Sequence, residues 1–239
     1  MATPLAEAHV RAQARLRAIA ATAVTTAWTN LGSYDESDLD PFLSIVLPTM
    51  DAVERQSVGL TDAFLGQAVG RPPLGVNPDQ VIAEEVRPGV DPAEVYRRSF
   101  VTVWTALKAG TDYEAAVGAG LARLRGTART DVQLAMRGTL RQVGQADKLI
   151  LGFKRVPNAS ACKLCQLAAG QRYKVGVLFP IHDGCGCGVD VITGPERPNF
   201  TGRYDNDPVI EGDGIAAAVR EHGELGPVLV NAAHHFSEL

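Results

Sequence analysis

The sequence is poor in aromatic residues and has no hydrophobic run of membrane-spanning length. Aromatic residues make up 6% of the 239 positions, whereas glycine alone occurs 24 times. This composition favours closely packed helices over a large aromatic core. No uninterrupted apolar stretch reaches the length of a transmembrane helix, and the first residues lack the basic-then-apolar order of an export signal. We therefore expect a soluble protein that stays in the cytoplasm while it is made, without membrane association.

The sequence also lacks an excess of basic residues. There are 23 Lys and Arg residues against 27 Asp and Glu residues, so the net charge is -4. A basic body that binds nucleic acid over its whole surface is not supported by this balance. No serine stands in a Gly-x-Ser-x-Gly sequence, so a hydrolase of that type is not indicated either. Hydrophobic content of 46% is ordinary for one or two folded domains.

Cysteine is scarce, and all 4 cysteines lie in one short segment. A Cys-x-x-Cys pair is followed by the sequence His-Asp-Gly-Cys-Gly-Cys. Together the two sequences contain five potential metal donors: Cys162, Cys165, His182, Cys185 and Cys187. Two tight turns of this kind supply the thiolate and imidazole ligands that Zn²⁺ prefers in a tetrahedral site. Three thiolates and one histidine fill that site and leave no position for a catalytic water. The pattern therefore predicts a structural zinc site.

Five donors compete for four positions around the metal. A tetrahedral site has one position fewer than there are donors, so only one of Cys185 and Cys187 is expected to bind. The His-x-x-Cys turn favours Cys185 and makes Cys187 the reserve, and the sequence does not decide between them. Two disulfides are disfavoured in a reducing compartment. A thioredoxin-type redox site is disfavoured because its Cys-x-x-Cys motif is not followed by a His and Cys cluster. A zinc deaminase is disfavoured because its motifs stand in the reverse order.

The first 145 residues carry the apolar periodicity and the capping sequences of long helices. The pattern predicts a helix over residues 4–30, and a second helix that begins at Asp40-Pro41 and is kinked or split at Pro48. Three further helix starts are indicated by capping sequences, at Asn77, at Asp91 and at the capping box Thr111–Glu114. The last of these helices is expected to extend to about residue 145.

From residue 148 onward the periodicity becomes that of strands. Leu149–Val156, Arg172–Val175 and Gly188–Ile192 are predicted strands, with a short helix at Cys165–Ala169. A sheet of this size buries little apolar surface, which is why we expect a metal to stabilise it. The predicted class is α+β, with long antiparallel helices in the N-terminal half. The expected divisions are a helical domain (1–145), a zinc-stapled α+β domain (148–194) and an extended C-terminal arm (195–239).

The C-terminal half resembles a known family of virion proteins. The matching segments are Gly152–Pro157, Ala161–Cys165, the stretch from His182 to Cys187, and Glu221–Leu229. Together they are similar to the MuF-like minor capsid, or head morphogenesis, proteins of tailed bacteriophages, in the actinobacteriophage branch. The resemblance covers residues 148–230 and identifies Cys162, Cys165, His182, Cys185 and Cys187 with the metal motif of that family.

The resemblance implies a structural protein of the phage head, made in the host cytoplasm and present in the virion. Its expected partners are the portal protein and the major capsid protein, with contact to packaged DNA and travel with the DNA at ejection as further expectations. Some members of that family carry a toxin or protease region at the C-terminus, but only 45 residues follow Gly194 here, too few for either. We therefore expect no enzymatic activity, and no small-molecule substrate. The alternatives are a capsid-processing protease, a zinc-dependent nuclease and a zinc knuckle that binds nucleic acid. For the zinc knuckle, the phosphate-binding patch would consist of the basic residues near the cluster, Lys154, Arg155, Lys163, Arg172 and Lys174.

Overall fold

The described part of the chain is mostly helical, and its strands form one small antiparallel sheet. The computed structural model describes residues 2–158, 161, 165–166, 169, 172–175 and 186–193. The helices are α1 Pro4–Thr29, α2 Glu36–Ala68, α3 Pro78–Val81, α4 Pro92–Lys108 and α5 Tyr113–Ala146, and a π-helical turn, Ile82–Val86, follows α3. The strands are β1 Gly152–Val156, β2 Arg172–Lys174 and β3 Gly188–Ile192. The α+β class is therefore confirmed in its coarse form.

Among the described helices, none combines the length and the apolar character that a membrane crossing requires.

Two of the predicted helix starts are confirmed by their capping hydrogen bonds. The side chain of Asn77 accepts a bond from the backbone N–H of Asp79, and proline follows at the first helical position of α3. Asp91 caps α4 in the same way by accepting from the N–H of Ala93. These caps satisfy N–H groups that have no partner inside a helix, which is why the local sequence alone predicts them.

Two other helix starts were predicted at the wrong residue. Helix α2 begins at Glu36, not at Asp40-Pro41, because Asp35 accepts hydrogen bonds from both the N–H and the hydroxyl of Ser37 and caps the helix earlier. Helix α5 is capped by Asp112, whose carboxylate accepts hydrogen bonds from the N–H groups of Glu114 and Ala115. Thr111, the first residue of the expected capping box, is not the cap. In both cases a neighbouring aspartate provides the acceptor that the N-terminal N–H groups need.

Of the two outcomes predicted at Pro48, a kink or a split of the second helix, the split is wrong, and the kink stays a prediction. Helix α2 runs without interruption from Glu36 to Ala68 and contains both Pro41 and Pro48. A proline inside a helix removes one backbone hydrogen bond and costs about 3 kcal/mol. Around Pro48, the buried side chains of Val46 and Met50 lie on the same helix, and their burial offsets part of that cost.

The strand predictions are confirmed, β3 with the predicted limits and β1 and β2 with shorter ones. Strand β1 begins at Gly152 and not at Leu149, because Asp147 organises a turn in front of it. Its carboxylate accepts from the N–H of Leu149 at 2.9 Å, and its carbonyl accepts from the N–H of Ile150 at 3.1 Å. Of the expected helix at 165–169, only residues 165, 166 and 169 are described, and the first two are helical.

The chain divides into two compact units. We call the described residues within Met1–Ala12, Leu60–Val76 and Thr139–Leu239 the sheet unit, and those within Gln13–Gly59 and Asn77–Gly138 the helical unit. Helices α1, α2 and α5 each contribute residues to both units. The domain limits expected from the sequence stay a prediction.

The helical unit contains the aromatic core of the described chain. The rings of Trp28, Phe42 and Phe100 meet in edge-to-face contacts, with centroids 5.0 to 5.8 Å apart. Such pairs add roughly 0.5–1.5 kcal/mol each beyond their burial. Gly120 of α5 makes close packing possible here, since a Cβ at that position would lie 2.8 Å from the Trp28 ring. Helices can approach this closely only where one of them carries a very small residue.

In the sheet unit, helix ends cover the strands. Asp190 of β3 accepts two hydrogen bonds from Thr3, one from its N–H and one from its hydroxyl, both at 2.8 Å. Val10 of α1 lies against Gly188, where an added Cβ would approach its side chain to 2.6 Å. Gly144 of α5 lies against Phe153 of β1 in a similar way. The sheet therefore gains apolar cover from α1 and α5.

Several predictions fall outside the described residues. The C-terminal arm 195–239, and within it the Glu221–Leu229 match, are not described. The same holds for Cys162, His182 and Cys185 of the predicted zinc site.

Candidate metal centre

The sheet brings distant parts of the cysteine motif to one place. Strand β1 is central and pairs with β2 and β3, both antiparallel, in the order β2-β1-β3. Cys187 directly precedes β3, whose first residue pairs with Val156 at the end of β1. Cys165 lies nine residues beyond Val156 in the sequence. Both cysteines thus belong to the same edge of the unit, where β1 ends and β3 begins.

The two described cysteines lie together in the interior. Cys165 is 2% exposed and Cys187 is fully buried, and they form one cluster with Ala161 packed against it. The two thiols are not joined in a disulfide. Cys165 comes from the Cys-x-x-Cys pair and Cys187 from the downstream His-Asp-Gly-Cys-Gly-Cys sequence, so this contact joins the two halves of the predicted motif.

A buried arginine accompanies the two thiols. Arg155 of β1 is 2% exposed, and its Nη1 donates to the sulfur of Cys165 over 3.7 Å. Its guanidinium group also lies over the ring of Tyr173, 5.8 Å from the ring centroid. Arginine is rarely buried to this extent unless other groups compensate its charge. The face of the Tyr173 ring and the sulfur of Cys165 both contribute to compensating the charge of Arg155.

This arrangement has a chemistry that suits a thiolate-rich metal site. Thiolates are the form in which cysteine binds zinc. A shell of three thiolates and one neutral histidine carries one negative charge more than Zn²⁺ neutralises, and a guanidinium beside one sulfur compensates that charge. Two buried thiols in contact next to a cation therefore fit the donor set that zinc prefers.

The described residues bring two of the five predicted ligands together, Cys165 and Cys187. The other three, Cys162, His182 and Cys185, are outside the described residues. Within the part of the chain that is described, no three His, Cys, Asp or Glu side chains are grouped so as to hold a metal ion. Cys187, which the sequence made the reserve ligand, lies beside Cys165.

Arg155 is the residue of this site that the sequence interpretation misplaced. The basic patch predicted for phosphate binding consists of Lys154, Arg155, Lys163, Arg172 and Lys174, but the burial of Arg155 removes it from that surface. A signal was present in the sequence. Side chains alternate along a strand, so Arg155 shares a face with the apolar Phe153 and not with Lys154.

Comparison of the chain with protein-family models, with curated proteins and with solved structures found no match.

Proposed function

We propose that the chain is a minor capsid, or head morphogenesis, protein of a tailed bacteriophage, and that a zinc ion holds its C-terminal half together. It would serve by docking to the portal protein and the major capsid protein, in the host cytoplasm during assembly and then in the virion. The observation that carries this proposal is the contact of Cys165 with Cys187. It is the contact expected if both halves of the MuF-like cysteine motif bind one metal ion.

The character of the proposed site supports a structural role in preference to a catalytic one. Cys165 and Cys187 are both buried, and a catalytic zinc needs a coordination position that water and substrate can reach. The neighbouring cation, Arg155, is buried as well. A site of this kind stabilises a small sheet whose own apolar area is limited.

The experiment that tests the proposal is sedimentation with the expected partners. The full chain, loaded with zinc, is mixed with purified portal rings and with heads assembled from the major capsid protein of the same phage. We expect the chain to sediment with one or both, and the Cys165→Ser variant to lose this association because its docking surface unfolds.

A matched control is Glu94→Gln, which changes an exposed carboxylate of α4 and leaves the cysteine motif intact. This variant should sediment like the unchanged chain. If the zinc-loaded chain stays in the soluble fraction with both partners, the proposed function is wrong, whatever the metal content of the protein.

A further inference from the structure

The helical unit contains a cavity that the proposed function does not use. It encloses about 660 Å³, within the range of roughly 300–1,000 Å³ typical of small-molecule sites. Its walls come from four segments: α2, α3 with the π-helical turn, the start of α4, and Asp131 of α5. π-helical turns are rare and occur often at functional sites. All lining residues belong to the helical unit.

The cavity has an exposed rim and a buried floor. The side chain of Asp79 is 68% exposed and Val90 is 42% exposed, so these residues mark the rim. Glu54, Tyr96 and Asp131 are between 2% and 6% exposed and form the floor. Much of the remaining wall is apolar and includes Leu47, Pro48, Met50, Ile82, Val86 and Val95.

The carboxylates nearer the rim have partners in the protein. Asp51 pairs with Arg55, whose Nε lies 2.6 Å from a carboxylate oxygen, and Asp79 pairs with the same guanidinium group. Asp91 caps α4 by accepting from the N–H of Ala93. None of these three carboxylates requires a group from outside the chain.

The floor contains one partnered carboxylate and one without a partner. Asp131 accepts from Arg87 at 2.8 Å and from the hydroxyl of Tyr96 at 2.9 Å. Glu54 is 6% exposed, and within the described residues its carboxyl makes neither a hydrogen bond nor an ion pair. The cavity is therefore lined by five carboxyl groups and two guanidinium groups, and Glu54 has no positive charge paired with it.

From this geometry we propose that the cavity binds a small amphipathic ammonium compound, whose charged nitrogen pairs with Glu54 and whose apolar body lies along Ile82, Val86 and Val95. The ammonium supplies the one charge that the floor lacks, and it donates to an acceptor that has no donor in the described chain. The apolar walls exclude a ligand that is polar along its whole length. This inference is independent of the proposed function, because it concerns only the helical unit.

The protonation of Glu54 gives the proposal a measurable pH dependence. Burial, together with the charges of Asp131 and Asp51, raises the pKa of Glu54 to about 8, and Arg87 only partly opposes the rise. An aliphatic ammonium keeps its proton up to about pH 10. Ammonium binding favours the ionised carboxylate, so affinity increases as the pH rises toward 9 and Glu54 loses its proton.

The test is titration calorimetry of the full chain with phenylbutylamine and, separately, with phenylbutanol, the neutral compound of the same shape. We expect the amine to bind at least about tenfold more tightly near pH 9 than near pH 6. The alcohol should bind more weakly than the amine near pH 9 and with the same affinity at both pH values. Equal affinities of amine and alcohol, or no binding of either compound, would overturn the proposal.

Variants assign the effect to Glu54. In Glu54→Gln, the amine should lose both its advantage over the alcohol and its pH dependence. In Glu94→Gln, an exposed α4 residue that does not line the cavity, both should be retained. Amine binding that keeps the same pH dependence in Glu54→Gln would show that Glu54 is not the acceptor.

A measurement on the unchanged chain keeps the proposal testable if Glu54→Gln fails to fold. The carboxyl carbon of Glu54 can be followed by NMR as the pH is raised, with and without phenylbutylamine. A bound ammonium stabilises the charged carboxylate, so the midpoint of the titration should move to lower pH when the amine is present. A midpoint that the amine leaves unchanged contradicts the proposal.

Discussion

The two units bury ionisable groups in opposite ways. In the sheet unit, the guanidinium of Arg155 is buried against the sulfur of Cys165 and the ring of Tyr173. In the helical unit, the carboxyl of Glu54 is buried beside the carboxylates of Asp131 and Asp51. In the first arrangement, a positive charge is buried beside a sulfur and an aromatic ring, both of which attract cations. The second is a buried carboxyl group beside two carboxylates, with no cation of the described chain paired with it.

The difference concerns what each unit needs in order to fold. The helical unit has its own core, built around Trp28, Phe42 and Phe100, so Glu54 can be a local cost that the rest of the unit tolerates. The sheet unit has a sheet of only three short strands, and its two described cysteines are buried. We therefore expect metal to decide the folding of the sheet unit and pH to modulate the stability of the helical unit.

The largest expected effect is the response of the sheet unit to metal removal. Chelation, or the substitution Cys165→Ser, should remove a stoichiometric zinc ion. The effect should be large, because structural zinc contributes on the order of 10 kcal/mol to the folding of small domains. Amide hydrogens of Phe153 and Val189 should then exchange rapidly. Both tryptophans, Trp28 and Trp104, belong to the helical unit, and their fluorescence should stay unchanged.

The same measurement distinguishes the two competing ligands. Cys187 lies beside Cys165 in the interior, so we expect Cys187→Ser to lose the metal and Cys185→Ser to keep it, as determined by mass spectrometry of the native protein. Retention of zinc by Cys187→Ser and its loss from Cys185→Ser would restore the order favoured by the sequence. A protein that keeps its exchange protection without any metal would remove the basis of the zinc hypothesis.

The second effect is the pH dependence that Glu54 gives to the helical unit. Its pKa is raised from 4.5 to about 8 by burial and by the charges of Asp131 and Asp51. Between these two values, the folded unit holds a proton that the unfolded chain releases. The contribution of Glu54 therefore lowers the free energy of unfolding as the pH rises through this window.

Glu54→Gln should remove this slope, because the amide has no proton to lose. The variant should be more stable than the unchanged chain near pH 9, by on the order of a few kcal/mol, and the difference should nearly vanish near pH 4.5. Urea unfolding followed by tryptophan fluorescence measures this directly in the helical unit. The same pH slope in both proteins would contradict the burial argument.

How well the sequence predicted these features depends on whether their cause is local. The caps at Asn77 and Asp91 were predicted correctly, since the acceptor and the N–H that it satisfies are two residues apart. The start of α2 was not, because Asp35 and Asp40 are both suitable caps and the sequence alone does not rank them. Packing of the whole helix decides between two such candidates.

The residues of the two sites show a similar contrast. The cysteine spacing predicted that the two halves of the motif converge, and Cys165 does lie against Cys187. Arg155 and Glu54 were missed because their roles depend on neighbours distant in the sequence. A local signal existed for Glu54 as well: it follows the buried Met50 by one helical turn and precedes the buried Val58 by another, so it lies on the inner face of α2.

The third prediction compares two glycines, one in each unit, against which another part of the chain packs closely. In Gly120→Ala, the new Cβ would lie 2.6 Å from the Val103 side chain and 2.9 Å from the carbonyl oxygen of Ser99. In Gly188→Ala, the three nearest atoms all belong to Val10, and the closest is a side-chain carbon at 2.6 Å. Overpacking costs about 1–3 kcal/mol. Gly120→Ala should be the worse of the two, since a backbone oxygen cannot rotate away.

The readouts and controls separate the two units. Gly120→Ala should lower the urea midpoint of tryptophan fluorescence, whereas Gly188→Ala should act on amide exchange in β3, and the added substitution Val10→Ala should restore protection. Gly126→Ala is the matched control. Its Cβ would meet nothing within 4 Å, so it should be neutral or stabilising by up to about 1 kcal/mol. Equal effects of all three glycine substitutions would contradict the packing argument.

The smallest effect is expected at Asp190, which connects β3 to the first turn of α1. Its carboxylate accepts from both the N–H and the hydroxyl of Thr3, and the Thr3 hydroxyl in turn accepts from the N–H of Ala6. Asp190→Ala removes these bonds and a negative charge at a helix N-terminus, for a loss of about 1 kcal/mol. Asp38→Ala, which removes a carboxylate that accepts from Ser33 and Tyr34, is the counterpart in the helical unit.

The two aspartates differ in the sequence distance that they span, and this difference decides the readout. Asp38 bonds to residues four and five positions away, so its loss should loosen one turn and lower the midpoint of tryptophan fluorescence slightly. Asp190 bonds to a residue 187 positions away, so its loss should speed amide exchange at both ends of the contact, in β3 and in the first turn of α1. In the double variant with Thr3→Ala, the loss should be smaller than the sum of the two single losses, because both substitutions remove the same bonds. Fully additive losses would mean that the contact contributes nothing to the stability of the sheet unit.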